Sequence, residues 1–523
     1  MSADARPTRA KVLATIGPAS ESPAVVAKLL EAGVSGFRLN FSHGSLADHS
    51  RRLATIRAEA ERAGRVVAVV GDLCGPKIRL GKVEPARTFE VGQDVTLVGD
   101  DLAGGAAGDG DALPVTYPRL ADEVSPGHRV LFADGAVRML AVDRRDGPGE
   151  RAGRGGRGGG ALVCRVTQGG TLSTGKGVNL PDSALSVPAI TPRDWECVAW
   201  AVQHGLDFLA LSFVRRADEV RELKERLFGM CPVDRSQAET SGHASGSLIR
   251  VIAKVEKPEA VAHLEPIVEA ADAIMLARGD LGVEMDLAHV PVVQKRIVAM
   301  AADWGRPCIV ATQMLESMIE SASPTRAEVS DVANAVFDGA DAVMLSGETA
   351  IGKHPALAVD IMRRVIEAAE AHVATLPHLE SPPRRLVESR YPTAALAHGA
   401  WHVARDIGAR AVVCWSQSGG TARYLSQNEF RVPILALTTN PHAARRMALL
   451  KGVTPVVVSA PEGGRLGGFT DLAERLLLER RWVRVGEPVL LLAGKPLGTP
   501  KATNSIATLY IGDPTGGYRA HAS

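Results

Sequence analysis

Residues 248–256 read LIRVIAKVE, and residues 273–280 read AIMLARGD. Each is an apolar run that ends abruptly in charge. If the two runs are neighbouring parallel strands, Lys254, Glu256 and Asp280 converge at one rim. Side chains alternate along a strand, so Lys254 and Glu256 leave it on the same face. Two carboxylates with open positions suit a hard divalent cation, Mg²⁺ or Mn²⁺, whose other ligands are waters and substrate oxygens. A lysine beside that metal suits a substrate with several negative charges.

Six more runs of the same kind lie outward from these two, at 12–16, 36–39, 66–70, 208–211, 308–311 and 342–345. Most are continuous rather than alternating, as in strands buried on both faces of a parallel sheet. Helical patterns separate most of them, at 23–32, 46–63, 258–270, 290–304 and 325–339. The last opens with Thr325-Arg326-Ala327-Glu328, a capping box. Eight βα repeats describe a (β/α)8 TIM barrel. One stretch interrupts the repeat, from Gly75 to about residue 186, rich in Gly, Val, Thr and Pro with short extended runs. It reads as a small inserted β domain, barrel-like, hinged on the rim as a lid. Beyond residue 373 apolar runs at 411–415, 434–437, 456–458 and 489–492 alternate with helical segments, which predicts a C-terminal α/β domain. The expected division is 1–75 and 188–372 for the barrel, 76–187 for the lid and 373–523 for the last domain.

The bulk numbers agree with this plan. A chain of 523 residues is too long for one core. Lys+Arg 60 against Asp+Glu 59 leaves a net charge of +1, no footprint for nucleic acid or an anionic membrane. The six cysteines show no paired spacing and read as reduced thiols, so a cytoplasmic protein is expected. No stretch approaches the length of a membrane span. The tract 147–160, with eight glycines and three arginines, reads as a tolerated surface insertion rather than an RNA-binding element. Residues 230–247 read as a second polar insertion, and 99–110 as a turn-rich connector.

Active sites of such barrels lie at the C-terminal strand ends. The residues at those ends are polar on segment after segment. They include Arg38, Asn40, Ser42 and His43 after the second run, and Asp72, Lys77 and Arg79 after the third. Ser212 and Arg215 follow the fourth, Thr312 the seventh, and Ser346 and Glu348 the eighth. With the motifs RLNFSHG (38–44), KGVNLP (176–181), ARGDLG (277–282), ATQMLESM (311–318) and the pieces PTRAE, SDVANAV, DGAD and MLSG within 324–347, the chain resembles the pyruvate kinases.

The resemblance implies phosphoryl transfer from phosphoenolpyruvate to ADP, a reaction that rests on positioning and charge neutralisation. It implies Mg²⁺ on Glu256 and Asp280, Lys254 on the transferring group, and Arg38 on its oxygens. The amides of the Arg278-Gly279-Asp280 turn would take the substrate carboxylate, and Thr312 would lie beside the enolpyruvate. Arg79, Lys176, Asn40 and His43 match nucleotide-side residues. Thr312 and Ser346 are candidates to orient a water for enolate protonation. A homotetramer is the usual family assembly.

Two positions depart from the family pattern. Asn40, Ser42 and Asp72 retain part of a monovalent-cation cage, but Leu73 and Lys77 stand where K⁺-dependent members carry Thr and Glu. One reading has the Lys77 ammonium replacing K⁺; the other leaves Lys77 solvated and K⁺ bound. In the last domain, Ser416, Ser418, Gly419 and Thr421 form a hydroxyl- and glycine-rich turn that suits an effector phosphate, a sugar phosphate or AMP. A Mg²⁺-dependent aldolase or lyase would need no nucleotide lid. A non-catalytic sensor would be expected to have lost Lys254, Glu256 or Asp280.

Overall fold

The computed structural model describes residues 7–99, 112–145, 160–230, 249–377, 383–495, 497–498 and 503–519. Most of the connector at 99–110, of the Gly/Arg tract and of the polar stretch 230–247 lies outside these residues, as does Leu248.

Eight parallel strands close a barrel in chain order: Lys11–Thr15, Gly36–Asn40, Ala68–Asp72, Phe208–Leu211, Arg250–Val255, Ala273–Ala277, Cys308–Ala311 and Ala342–Leu345. The first strand closes on the last, with Lys11 opposite Ala342. Their apolar runs are continuous because each strand is covered twice, by outer helices and by the barrel interior. Leu13, Val70, Ile252, Met275 and Met344 fill that interior, and Leu449 of the C-terminal domain joins them, so this domain plugs the barrel floor. Gly36 makes the room: a Cβ there would sit 2.9 Å from Leu449 Cδ2. The third strand extends past its apolar run to Asp72, which places that carboxylate on the barrel wall.

The capping box at Thr325 is present, with Glu328 N donating to Thr325 Oγ1 at 3.2 Å and Thr325 N to Glu328 Oε2 at 2.7 Å. The single helix expected over 258–270 is instead two, Pro258–Ala262 and Leu264–Ala270. Pro266 is the cause: it lacks an N–H, and its ring excludes the carbonyl of Ala262 from helical bonding, so the chain restarts at Leu264.

Between the third and fourth barrel strands lies a six-stranded sheet, in the order Val178–Asn179, Arg129–Phe132, Val137–Arg145, Ala161–Gln168, Asp94–Gly99 and Leu113–Val115. It has its own core around Leu97, Phe132 and Met139. The C-terminal sheet runs Val453–Val457, Ile434–Thr438, Val412–Trp415, Pro488–Gly494 and Thr503–Tyr510. The last strand is antiparallel. No described helix is long and apolar enough to cross a membrane.

Asp341, at the foot of the eighth barrel strand, is buried and accepts from Cys308 N at 2.8 Å and from Gln427 Nε2 at 2.9 Å, which ties the C-terminal domain to the floor. Burial pushes its carboxyl up from 3.8 to about 6, against the pull of Lys451. A carboxyl raised in the folded state binds a proton there that the unfolded chain has released. Its contribution is therefore full below the unfolded value and is lost as pH rises through the folded one. We expect the stability advantage of wild type over Asp341→Asn to shrink as pH rises between these two values (3.8 and about 6). Urea midpoints across that range read it directly; a constant difference would acquit Asp341.

Candidate active site

Lys254 is the hub of the rim. Its Nζ donates to Ser212 Oγ at 2.8 Å and pairs with Glu256 Oε1 at 2.8 Å and Asp72 Oδ1 at 3.2 Å. Burial would lower its pKa, but the Asp72 and Glu256 carboxylates outweigh that and raise it, so the ammonium is permanent. Asp72 binds a second cation through its other oxygen, with Arg38 Nε at 2.6 Å. Burial opposes ionisation of Asp72, yet Lys254 and Arg38 hold its pKa below the ordinary value. Arg38 also donates to Thr15 Oγ1 at 3.2 Å. The two cations thus share one buried carboxylate as anchor, and their orientation is fixed before any substrate arrives.

Glu256 accepts from Phe213 N at 2.6 Å. Burial raises its carboxyl, and the neighbouring Asp280 carboxylate adds to the rise. Two carboxylates that feel each other at the end of adjacent strands form the donor set a divalent cation would neutralise. Thr312 directly follows the next strand, and its Oγ1 accepts from Gly279 N at 2.7 Å. That amide, expected to face a substrate carboxylate, is therefore engaged by the protein. Thr312 and Gln313 both have positive φ, 68° and 55°, a costly conformation for two successive non-glycine residues. Arg278 holds this turn by donating to the Thr312 and Gln313 carbonyls, each at 3.0 Å, and by pairing with Asp331 at 2.6 Å. Among the described residues, the buried Ser346 Oγ has no hydrogen-bond partner.

The lid brings its own cations over this rim. Lys77, Arg79, Asp134 and residues 173–177 line an open crevice of about 450 Å³. Arg79 Nη1 donates to Gly175 O at 3.0 Å, while the Lys176 side chain stands in solvent. Lys77 Nζ lies 3.9 Å from Asp280 Oδ1, so the lid and the carboxylate pair meet directly. The His43 side chain is exposed, and partial desolvation, followed by the charges of Arg79, Arg38 and Lys77, lowers its pKa.

The family models for "Pyruvate kinase, barrel domain" and "Pyruvate kinase, alpha/beta domain" match residues 7–359 and 394–508. The chain is 41% identical over 506 residues to a pyruvate kinase of Mycobacterium intracellulare, covering 97% of this chain and 99% of that one. It is 39% identical over 510 residues to one of Corynebacterium glutamicum, covering 97% and 98%. The chain belongs to the pyruvate kinase family. A pyruvate kinase of Geobacillus stearothermophilus, 38% identical over 509 residues, is covered to 81% of its length by 97% of this chain.

Measured against the pyruvate kinase pattern, the monovalent-cation positions have other partners here. Asn40 Oδ1 accepts from Ser42 N at 3.1 Å, and both Asp72 oxygens are engaged by Arg38, Lys254 and Ser212. In the C-terminal turn, Ser416 Oγ accepts from Ala422 N at 3.2 Å and Thr421 Oγ1 meets Thr503 Oγ1 at 2.7 Å. Ser418 and Gly419 face the barrel floor instead. Thr15 is a rim residue that the sequence reading passed over, because it lies inside the first apolar run rather than after it. Arg215 supports the hinge, donating to the Leu185 and Val187 carbonyls at 2.6 and 2.7 Å.

Proposed function

We propose that this chain transfers the phosphoryl group of phosphoenolpyruvate to ADP, forming pyruvate and ATP in glycolysis. The observation that carries the reading is the Lys254, Asp72 and Arg38 cluster beside the Glu256 and Asp280 pair, directly beneath a cationic lid. Arg38 binds the phosphoryl oxygens of the substrate. Lys254 meets the charge that spreads over those oxygens as the phosphoryl group leaves, when a fixed cation in a water-poor site stabilises most. Glu256 and Asp280 would hold Mg²⁺, which when bound neutralises substrate and phosphoryl oxygens. Arg79 and Lys176 bind the ADP phosphates, with Asn40 and His43 on the nucleotide side. Thr312 and Ser346 orient the water that protonates the enolate. The enzyme works as a cytoplasmic homotetramer, and the turn at Ser416, Ser418, Gly419 and Thr421 serves an effector phosphate.

A steady-state assay tests this: pyruvate should appear when phosphoenolpyruvate, ADP and Mg²⁺ are all present and not when any one is omitted. Pyruvate release that ignores ADP would refute the assignment. Lys77, next to Asp280, supplies the charge that K⁺ brings elsewhere. Turnover in tetramethylammonium should therefore equal that in K⁺, and Lys77→Glu should acquire a K⁺ requirement. Strong activation of wild type by K⁺ would contradict this role.

A further inference from the structure

The lid joins the barrel through two stems, 76–78 and 178–180, and both line a small cavity with Phe213, Lys257 and Glu284. Glu284 is 3% exposed and ends the helix Arg278–Glu284, whose first turn carries Asp280. Its Oε1 accepts from two sides, from Asn179 Nδ2 of the lid at 2.9 Å and from Lys257 Nζ at 3.2 Å. Lys257 directly follows Glu256 in the chain. One oxygen therefore joins the lid to the barrel beside both carboxylates of the rim. A buried carboxylate is costly unless it is paired and hydrogen-bonded, so these two donors hold it in place. Asn179 is buried as well, and among the described residues its Oδ1 has no hydrogen-bond partner. Its side-chain amide is thus committed to Glu284.

The path from Asn179 to the nucleotide crevice is short. In the lid sheet Asn179 pairs with Leu131, and Val178 with Phe132. The next residue, Ala133, donates its N–H to Gly177 O at 3.0 Å. Ala133, Asp134 and Gly177 all line the crevice. A Cβ on Gly135 would lie 3.9 Å from Val283 Cγ1, so the turn 133–135 comes down beside the last turn of the Asp280 helix. We propose that Glu284 is a positioning residue, a role that rests on the lid's binding of ADP: through Asn179 it sets the height of the crevice above Asp280, and so the affinity for a nucleoside diphosphate that it does not touch.

Calorimetric titration of ADP with Mg²⁺ into the intact protein, alongside steady-state turnover, tests this. In Asn179→Ala and in Glu284→Ala, ADP should bind roughly tenfold or more weakly, the loss expected for a hydrogen bond to a charged acceptor. The double variant should bind ADP no more weakly than either single one, because both remove the same bond. Glu284→Gln keeps an acceptor for Asn179 and should stay within about threefold of wild type. Asn179→Ala leaves the Lys257 pair intact, so its KM for ADP should rise while its KM for phosphoenolpyruvate stays within a few fold. Should Glu284→Ala fail to fold, Asn179→Ala still decides. Wild-type ADP affinity in the alanine variants, or losses that multiply in the double variant, would overturn the role. So would a Glu284→Gln variant as weak as Glu284→Ala, since the Lys257 charge pair would then be what matters. If the wild type binds ADP and the variants follow the expected pattern while no pyruvate forms, the reaction falls and the role of Glu284 stands.

Discussion

Lys254→Met is expected to lower kcat by about 10²–10³-fold, the usual cost of removing one preorganised transition-state donor. Methionine keeps the length and much of the volume of lysine, so the rim remains filled. What goes is the ammonium that Ser212, Asp72 and Glu256 aim from three sides. Arg38 keeps its own bond to Asp72 at 2.6 Å, so the ground-state grip on the phosphoryl group should persist and the KM for phosphoenolpyruvate should stay within a few fold. A loss confined to kcat marks an interaction made in the transition state. If KM rose steeply while kcat held, Lys254 would be a binding residue and the assignment would fail.

Asp72→Ala is expected to cost the barrel about 3–5 kcal/mol, the usual penalty for stripping one partner from a buried ion pair. Asp72 is 1% exposed and its two oxygens serve Arg38 and Lys254. Without it both cations lose their common anchor, so the KM for phosphoenolpyruvate should rise as kcat falls. This distinguishes the variant from Lys254→Met. Guanidinium unfolding followed by tryptophan fluorescence measures the stability. A loss below about 1 kcal/mol, the range of a solvated pair, would show that the pairing is not structural.

Much of this site is legible in the sequence, for a definite reason. A parallel barrel buries its strands on both faces, so each leaves a continuous apolar run with polar residues where it emerges. The run ending in Ala277 marks Arg278, Gly279 and Asp280 in this way. What escapes is what depends on partners distant in sequence. Asp72 follows its run and resembles a helix cap or cation ligand; only closure of the barrel sets it against Lys254. Thr15 hides inside a run. Leu449, which plugs the barrel floor beside Leu13, belongs to another domain and has no local mark. The strand Thr503–Tyr510 is missed because it is an edge strand with mixed exposure and no continuous apolar run. Arg250, Arg423 and Arg446, which line one cavity below the barrel floor, come together only when the domains dock.

Phosphorus NMR of the wild-type protein with equimolar phosphoenolpyruvate, ADP and Mg²⁺ follows the transferred atom itself. The phosphoenolpyruvate resonance should give way to the γ-phosphate of ATP, one for one, with no inorganic phosphate formed. Phosphorus that appears as inorganic phosphate, or stays on phosphoenolpyruvate whatever monovalent cation is supplied, would contradict the account.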